Sequence, residues 1–364
     1  MLNALKATIK WIAAIVIICA VAVFLASING LSVSRKIATV GGNDVTEAEY
    51  KYYLEMIKDQ MISEAGENAG DDYWNSDIDG KKASEVAKEK AMDELIRVET
   101  AVVKAKEAGV TLTQEQASNA RSIVNEDDDA TKEQMKELEK KTGADKYQIA
   151  DIMEKTFLSS AYYQSLSQQE NSPIKPDDET VKNAANEKYA VVKHVLISNT
   201  PQQDAAAAAD GAAEPAEEVD TEQYAADAKA KAEEVLAKAV KGDNFENLIK
   251  EYGEDPGMET SPDGYVIDET GATLDGTGSM IQEFTDGTFA VKPGEVNPNL
   301  IESTYGWHII KRYPLPEDGE DLTKILSTAS NSIMSDKYTE YLDGLKDSMN
   351  ITINEKIYNK IKVK

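Results

Sequence analysis

Two short β-branched runs, AVVKHVLI at 190–197 and WHIIKRY at 307–313, stand far apart in a chain whose other periodic segments read as helix. That contrast limits the possible folds more than any other feature. A strand carries unpaired backbone donors and acceptors, so each run needs a partner strand. Between them lies YAADAKAKAEEVLAKAV, helical in period and ended by Gly242, followed by NFENLIKEYG, closed by Gly253. GYVI reads as another strand, and SMIQEFTDGTFAV as a helix opened by the capping box Ser279/Gln282. The order β-α-α-β-α-β predicts a small α/β domain over 189–316. It is interrupted at 200–220 by the low-complexity stretch TPQQDAAAAADGAAEPAEEVD.

Both flanks read as helix. Thr46 with Glu49, Thr113 with Gln116 and Thr131 with Gln134 have capping-box spacing. Residues 84–108 repeat Ala91, Leu95, Val98 and Val102 on one face before Gly109. Asp145 can cap a further helix carrying Ile149, Ile152, Met153, Phe157, Tyr162 and Tyr163, and NSPIKPDD at 171–178 marks a boundary. Residues 31–188 therefore predict an all-helical first domain. Residues 317–364 return to helix and end in a tail too short to fold alone, which is expected to dock on that domain. The fold class is α+β: a helical module made of N- and C-terminal segments, with the α/β domain inserted.

Lys6 and Lys10 precede an uncharged apolar run at 11–28, WIAAIVIICAVAVFLASI, long enough to span a hydrocarbon core. Residues 1–30 are read as a cytoplasmic tip and single-pass anchor, with the bulk of the chain outside the cytoplasm. A cleaved signal ending near Ser32, giving a secreted protein, is the alternative. Cys19, the one cysteine, lies inside the apolar run and reads as lipid-facing packing; no disulfide framework or thiolate cluster can form. The formal net charge of −27 excludes nucleic acid as a partner, because phosphate binding needs clustered Lys and Arg.

VKHVLI, FENLIKEYGEDPG, GSMIQEFTDGTFAVKPGEV and YGWHIIKR resemble, in order and spacing, the parvulin family of peptidyl-prolyl cis–trans isomerases. The surrounding layout is similar to exported or membrane-associated foldases of the PrsA and SurA kind, and VGGNDVTEAEY at 40–50 is similar to the start of their chaperone module. The resemblance implies a foldase that isomerises X-Pro bonds in unfolded or newly exported proteins and binds such chains, with no cofactor and no metal. A chaperone that binds without isomerising is the alternative.

It also implies a site. His194 and His308, the only two histidines, would lie on adjacent central strands and lock each other's tautomers through an intervening hydroxyl. Ser303 matches the hydroxyl position before the second strand, and Tyr305 stands beside it. Met280, Phe284 and Phe289 match the proline pocket, their spacing suiting a helix and its exit. Asp255 matches the acid facing the turning amide, where apolar neighbours would raise its pKa. The sequence departs from the family in SPDGYVIDETGATLDGTGSM, which lengthens the turn before Met280, and the acidic insertion argues against phosphopeptide preference. One competing motif is NSDIDGKKASEV from Asn75, which approaches a calcium loop but places Glu85 one residue early.

Overall fold

The computed structural model describes residues 35–70, 72–122, 129–200 and 221–363. The run at 11–28 and nearly all of the low-complexity insertion lie outside these residues. No helix among the described residues is long and apolar enough to cross a membrane. The chain forms two compact units, one from residues before Lys175 and after Ser335, the other Lys175–Ser335.

The first unit is helix-rich but not all-helical. Strands β1 (Lys36–Val40) and β2 (Asn43–Thr46) form a hairpin, and β9 (Thr352–Ile353) from the C-terminal tail joins the free side of β1. The hairpin turns at Gly41 and Gly42, both with positive φ, and a Cβ at Gly41 would lie 2.8 Å from Val103 Cγ2. Helix α1 (Glu47–Ala65) follows, with Thr46 Oγ1 accepting from Glu49 N–H. The box is half-made, because the Glu49 carboxylate reaches Lys155 instead. The would-be calcium loop is a hairpin of β3 (Asp77–Ile78) and β4 (Lys81–Lys82), with Asp79 and Gly80 at positive φ and Asp77 accepting from Gly80 N–H. An Asp-Gly pair suits such a tight turn.

Helix α2 (Ala83–Glu107) buries Ala83, Ala87, Ala91, Leu95, Val98 and Val102, a stripe whose small residues let helices approach closely. Helices α3 (Gln114–Ser122), α4 (Asp129–Thr142) and α5 (Lys146–Ser167) complete this part. Thr113/Gln116 and Asp145/Gln148 make full capping boxes. Thr131 does not, since α4 already begins at Asp129. Met349 and Ile361 of the tail are buried in the same core as Ile37, Tyr50 and Leu95.

The second unit opens with α6 (Asp178–Lys188) and runs directly into β5 (Tyr189–Ser198). Then come α7 (Thr221–Lys241), α8 (Phe245–Tyr252), the single turn α9 (Gly257–Thr260), β6 (Tyr265–Asp268), α10 (Gln282–Phe289), β7 (Ile301–Ser303) and β8 (Gly306–Tyr313). The strands form one antiparallel sheet in the order β6-β5-β8-β7. Helix α11 (Glu320–Leu345) begins in this unit, and α12 (Glu355–Tyr358) lies in the tail.

Register decides what each face of the sheet does. Val195, Ile197 and Ile309 pack on one side against Ala232, Val235, Phe245 and Leu248 of α7 and α8. Val192, Ile310 and Ile267 of β6 pack on the other against Phe284 of α10. In β5–β8 pairing, His194 stands opposite Ile310 and Leu196 opposite His308. Residues two apart share a face, so both histidines point to the α10 side, one step apart on the diagonal.

Candidate active site

His194 and His308 are each 4% exposed, and their rings stack at 5.1 Å between centroids. Their Nδ1 atoms meet directly at 3.0 Å. This corrects the expected intervening hydroxyl: neighbouring strands already bring the rings within hydrogen-bond reach. The hydroxyl lies at the outer end instead, Ser303 Oγ being 2.7 Å from His308 Nε2. At the other end His194 Nε2 is 2.7 Å from Asp255 Oδ2. The four side chains form one continuous hydrogen-bonded row.

Asp255 follows α8 in the loop before α9. Its Oδ2 also accepts from the Tyr265 hydroxyl at 2.9 Å, and its Oδ1 from Gly257 N–H at 2.9 Å. The expectation of a raised pKa is therefore overturned. Burial does push it up, but donors from His194, Gly257 and Tyr265 outweigh burial and hold it at about 2. An ionised Asp255 sets the direction of the row. His194 Nε2–H donates to Asp255, leaving its Nδ1 to accept from His308 Nδ1–H; His308 Nε2 then accepts from the Ser303 hydroxyl. Burial, and next the neighbouring His194, push His308 down to about 4, with Asp255 opposing, so His308 is neutral at physiological pH.

An apolar cup covers this row. The Phe284 ring meets His194 edge-on at 5.0 Å and His308 at 5.5 Å. Leu196, Met280, Ile281, Phe284, Tyr265 and Tyr305 line a cavity of about 260 Å³ with the two histidines and Asp255. That is smaller than the roughly 300–1,000 Å³ of drug-sized ligand sites and suits one ring-sized side chain.

Several details differ from expectation. Helix α10 starts after Ile281, with no side-chain cap, and Ser279 sits in a β-bridge with Ala272. Met280 thus precedes the helix, its N–H bound to Gly271 O, so the lengthened turn positions it. Phe289 does not line the cavity. Five residues after Phe284 it is rotated about 140° around the helix, and it packs beneath the Arg312 guanidinium at 4.9 Å. Tyr305 is at the rim, 61% exposed, its N–H bound to Ser303 Oγ. Sequence reasoning passed over Leu196, Ile281 and Tyr265. Leu196 could have been found from its two-residue spacing to His194; the Tyr265–Asp255 contact has no local signal.

Residues 179–313 match the PPIC-type PPIase domain family, and residues 1–125 match the SurA-like N-terminal domain family. The chain is 26% identical over 321 residues to a foldase protein PrsA of Caldanaerobacter subterraneus, covering 85% of each protein. With a foldase protein PrsA of Geobacillus kaustophilus it shares 39% identity over 82 residues, 22% of this chain and 26% of that one. A crystal structure of a PrsA peptidylprolyl isomerase from Bacillus cereus, 17% identical, aligns over 90% of this chain and 96% of that one with a TM-score of 0.35. By these sequence matches residues 179–313 form a PPIC-type, or parvulin, peptidyl-prolyl isomerase domain behind a SurA-like N-terminal domain, as in a PrsA-like foldase.

Proposed function

We propose that the cup over His194 and His308 is where X-Pro bonds of unfolded, exported chains are turned. The barrier to be lowered is the ~18–20 kcal/mol of amide resonance, which leaves the uncatalysed reaction at roughly 10–100 s. No bond breaks, so the site need only hold the twisted amide better than either planar isomer. Phe284, Met280, Leu196 and Ile281 would hold the proline ring, with Tyr305 at the rim. In the planar amide, resonance places negative charge on the carbonyl oxygen. A fixed Asp255 anion near that oxygen raises the planar form relative to the twisted one, in which the charge is smaller. His194, His308 and Ser303 keep the anion and the cup floor in one arrangement. The observation that carries this reading is the unbroken row from Asp255 to Ser303 beneath the Phe284 ring.

The test is isomerisation of an Ala-Pro peptide by the full chain, with Asp255→Asn and Ser303→Ala beside it. Wild type should accelerate isomerisation, and both variants should slow it while melting within a few degrees of wild type. A folded wild type without activity would leave only chain binding. We further infer that the run at 11–28 anchors the chain with its bulk outside the cytoplasm, where such clients emerge. Protease added to intact spheroplasts should then digest all but an N-terminal stub; a soluble product beginning near Ser32 refutes the anchor.

A further inference from the structure

We propose that Tyr265 is a positioning residue of the isomerase site, pinning the Asp255 carboxylate against His194, and that position 257 is a glycine in order to admit it. The inference rests on the reading of Asp255 given above. Asp255 belongs to a loop, and a loop carboxylate would ordinarily sample several orientations. Here three donors hold it: His194 from β5, Tyr265 from β6 and Gly257 N–H from the start of α9. The first two bind the same oxygen, Oδ2. Tyr265 is a strand residue paired with Val192 in β5, so its hydroxyl references the carboxylate to the sheet that carries His194.

Gly257 supplies an independent sign that this contact is built into the chain. A Cβ there would stand 1.8 Å from the Tyr265 hydroxyl and 3.2 Å from Asp255 Oδ1. Its backbone is not in the left-handed region, so the position requires space, not unusual torsion. The other charged groups on the outer side of Asp255 are largely neutralised in pairs. In the adjoining cleft of about 690 Å³, Lys193 binds Glu246 at 2.8 Å and Glu254 binds Lys231 at 2.8 Å; Lys250 and Glu259, of opposite sign, line the same cleft. The orientation of the anion is thus set by its three donors. Without the Tyr265 hydroxyl, the carboxylate can swing about its remaining contacts, and the His194 ring loses a fixed acceptor. The proline ring is held elsewhere, by the apolar cup, so turnover should suffer more than binding.

The experiment uses the full chain, whose only histidines are His194 and His308, so ¹⁵N-histidine labelling reports those two rings alone. Tyr265→Phe removes the hydroxyl; Gly257→Ala displaces it while leaving the tyrosine intact. Each should lower kcat about tenfold with KM changed less than about twofold, and should blur the single-tautomer signature of His194 at pH 7. The double variant should be no slower than the slower single variant, since both break one contact. Wild-type kcat and ring signals in Tyr265→Phe, or losses that multiply in the double variant, overturn the proposal. Asp255→Asn separates the two levels. If it is slow while Tyr265→Phe is unimpaired, only the positioning role fails; if Asp255→Asn keeps full rate, the reading of the carboxylate fails first.

Discussion

Acid should destabilise the isomerase unit well before its carboxylates titrate, and His308 sets the size of the effect. Burial and the adjacent His194 bring its folded pKa to about 4, against an unfolded value of ~6.5. A histidine depressed in this way contributes stability that is complete above about 6.5 and is lost as pH falls through 4. Between pH 7 and pH 5 the unfolded chain takes up nearly one proton that the folded unit refuses. The loss is about 2 kcal/mol, rising to about 3 kcal/mol below pH 4. Asp255, at about 2 when folded against ~3.9 unfolded, loses its contribution only below about pH 5 and so adds nothing between pH 7 and pH 5. For a unit of this size, 2 kcal/mol is worth about 4–8 °C in Tm.

The first unit should respond in the opposite direction, which makes the pattern diagnostic. Burial lifts Glu49 to about 7; Lys155 opposes this and the neighbouring Glu99 reinforces it. A carboxyl raised on folding contributes stability below its unfolded value that is lost as pH rises through 7. Hydrogen exchange on the full chain resolves the two units by peptide. From pH 7 to 5 the opening free energy of β5 and β8 should fall by about 2 kcal/mol, and His308→Gln should flatten that slope. A wild-type slope of zero, or a His308→Gln slope as steep as wild type, refutes the reasoning.

Two further outcomes follow from burial and charge. Phe284 is only 2% exposed, so Phe284→Ala should cost about 3–5 kcal/mol, the range of a fully buried ring, and cut kcat/KM at least tenfold; thermal melts and peptide isomerisation check this, and unchanged activity sinks the assigned cup. Glu49→Gln removes one of two buried carboxylates sharing the Lys155 ammonium, leaving Glu99 its partner. At pH 8 it should stabilise the first unit by about 1 kcal/mol in urea unfolding, and a destabilised variant contradicts the account of that cluster.

The central strands and several helix ends were legible because their signals are local. AVVKHVLI and WHIIKRY are buried on both faces, so little polar alternation remains to confuse them with a surface helix. Capping at Asp145 and Thr113 requires only residues three positions away. The same brevity misleads at Thr131, where the spacing recurs inside a helix. The sheet of the first unit was missed for the converse reason. Strand β9 is two residues long, and its partner β1 comes from the other end of the described chain, so neither periodicity nor turn chemistry announces the pairing.

The site divides along the same line. His194, His308 and Ser303 were implied by the family resemblance, and the strand register explains how they meet, since residues two apart on paired strands share a face. Phe284 follows from the helix lying over that face, and Phe289 fails because a five-residue step carries it around the helix to Arg312. Asp255 lies against His194, but its donors keep it ionised where a raised pKa was expected. Apolar neighbours can be read from a sequence, and they argue for a neutral acid. The donors that reverse the argument are a backbone N–H two residues on, a tyrosine from another strand and a histidine sixty-one positions earlier. Protonation state is a balance between desolvation and donors. The first is a property of composition and the second of three-dimensional placement, so a buried acid can be located from sequence while its charge must wait for the fold.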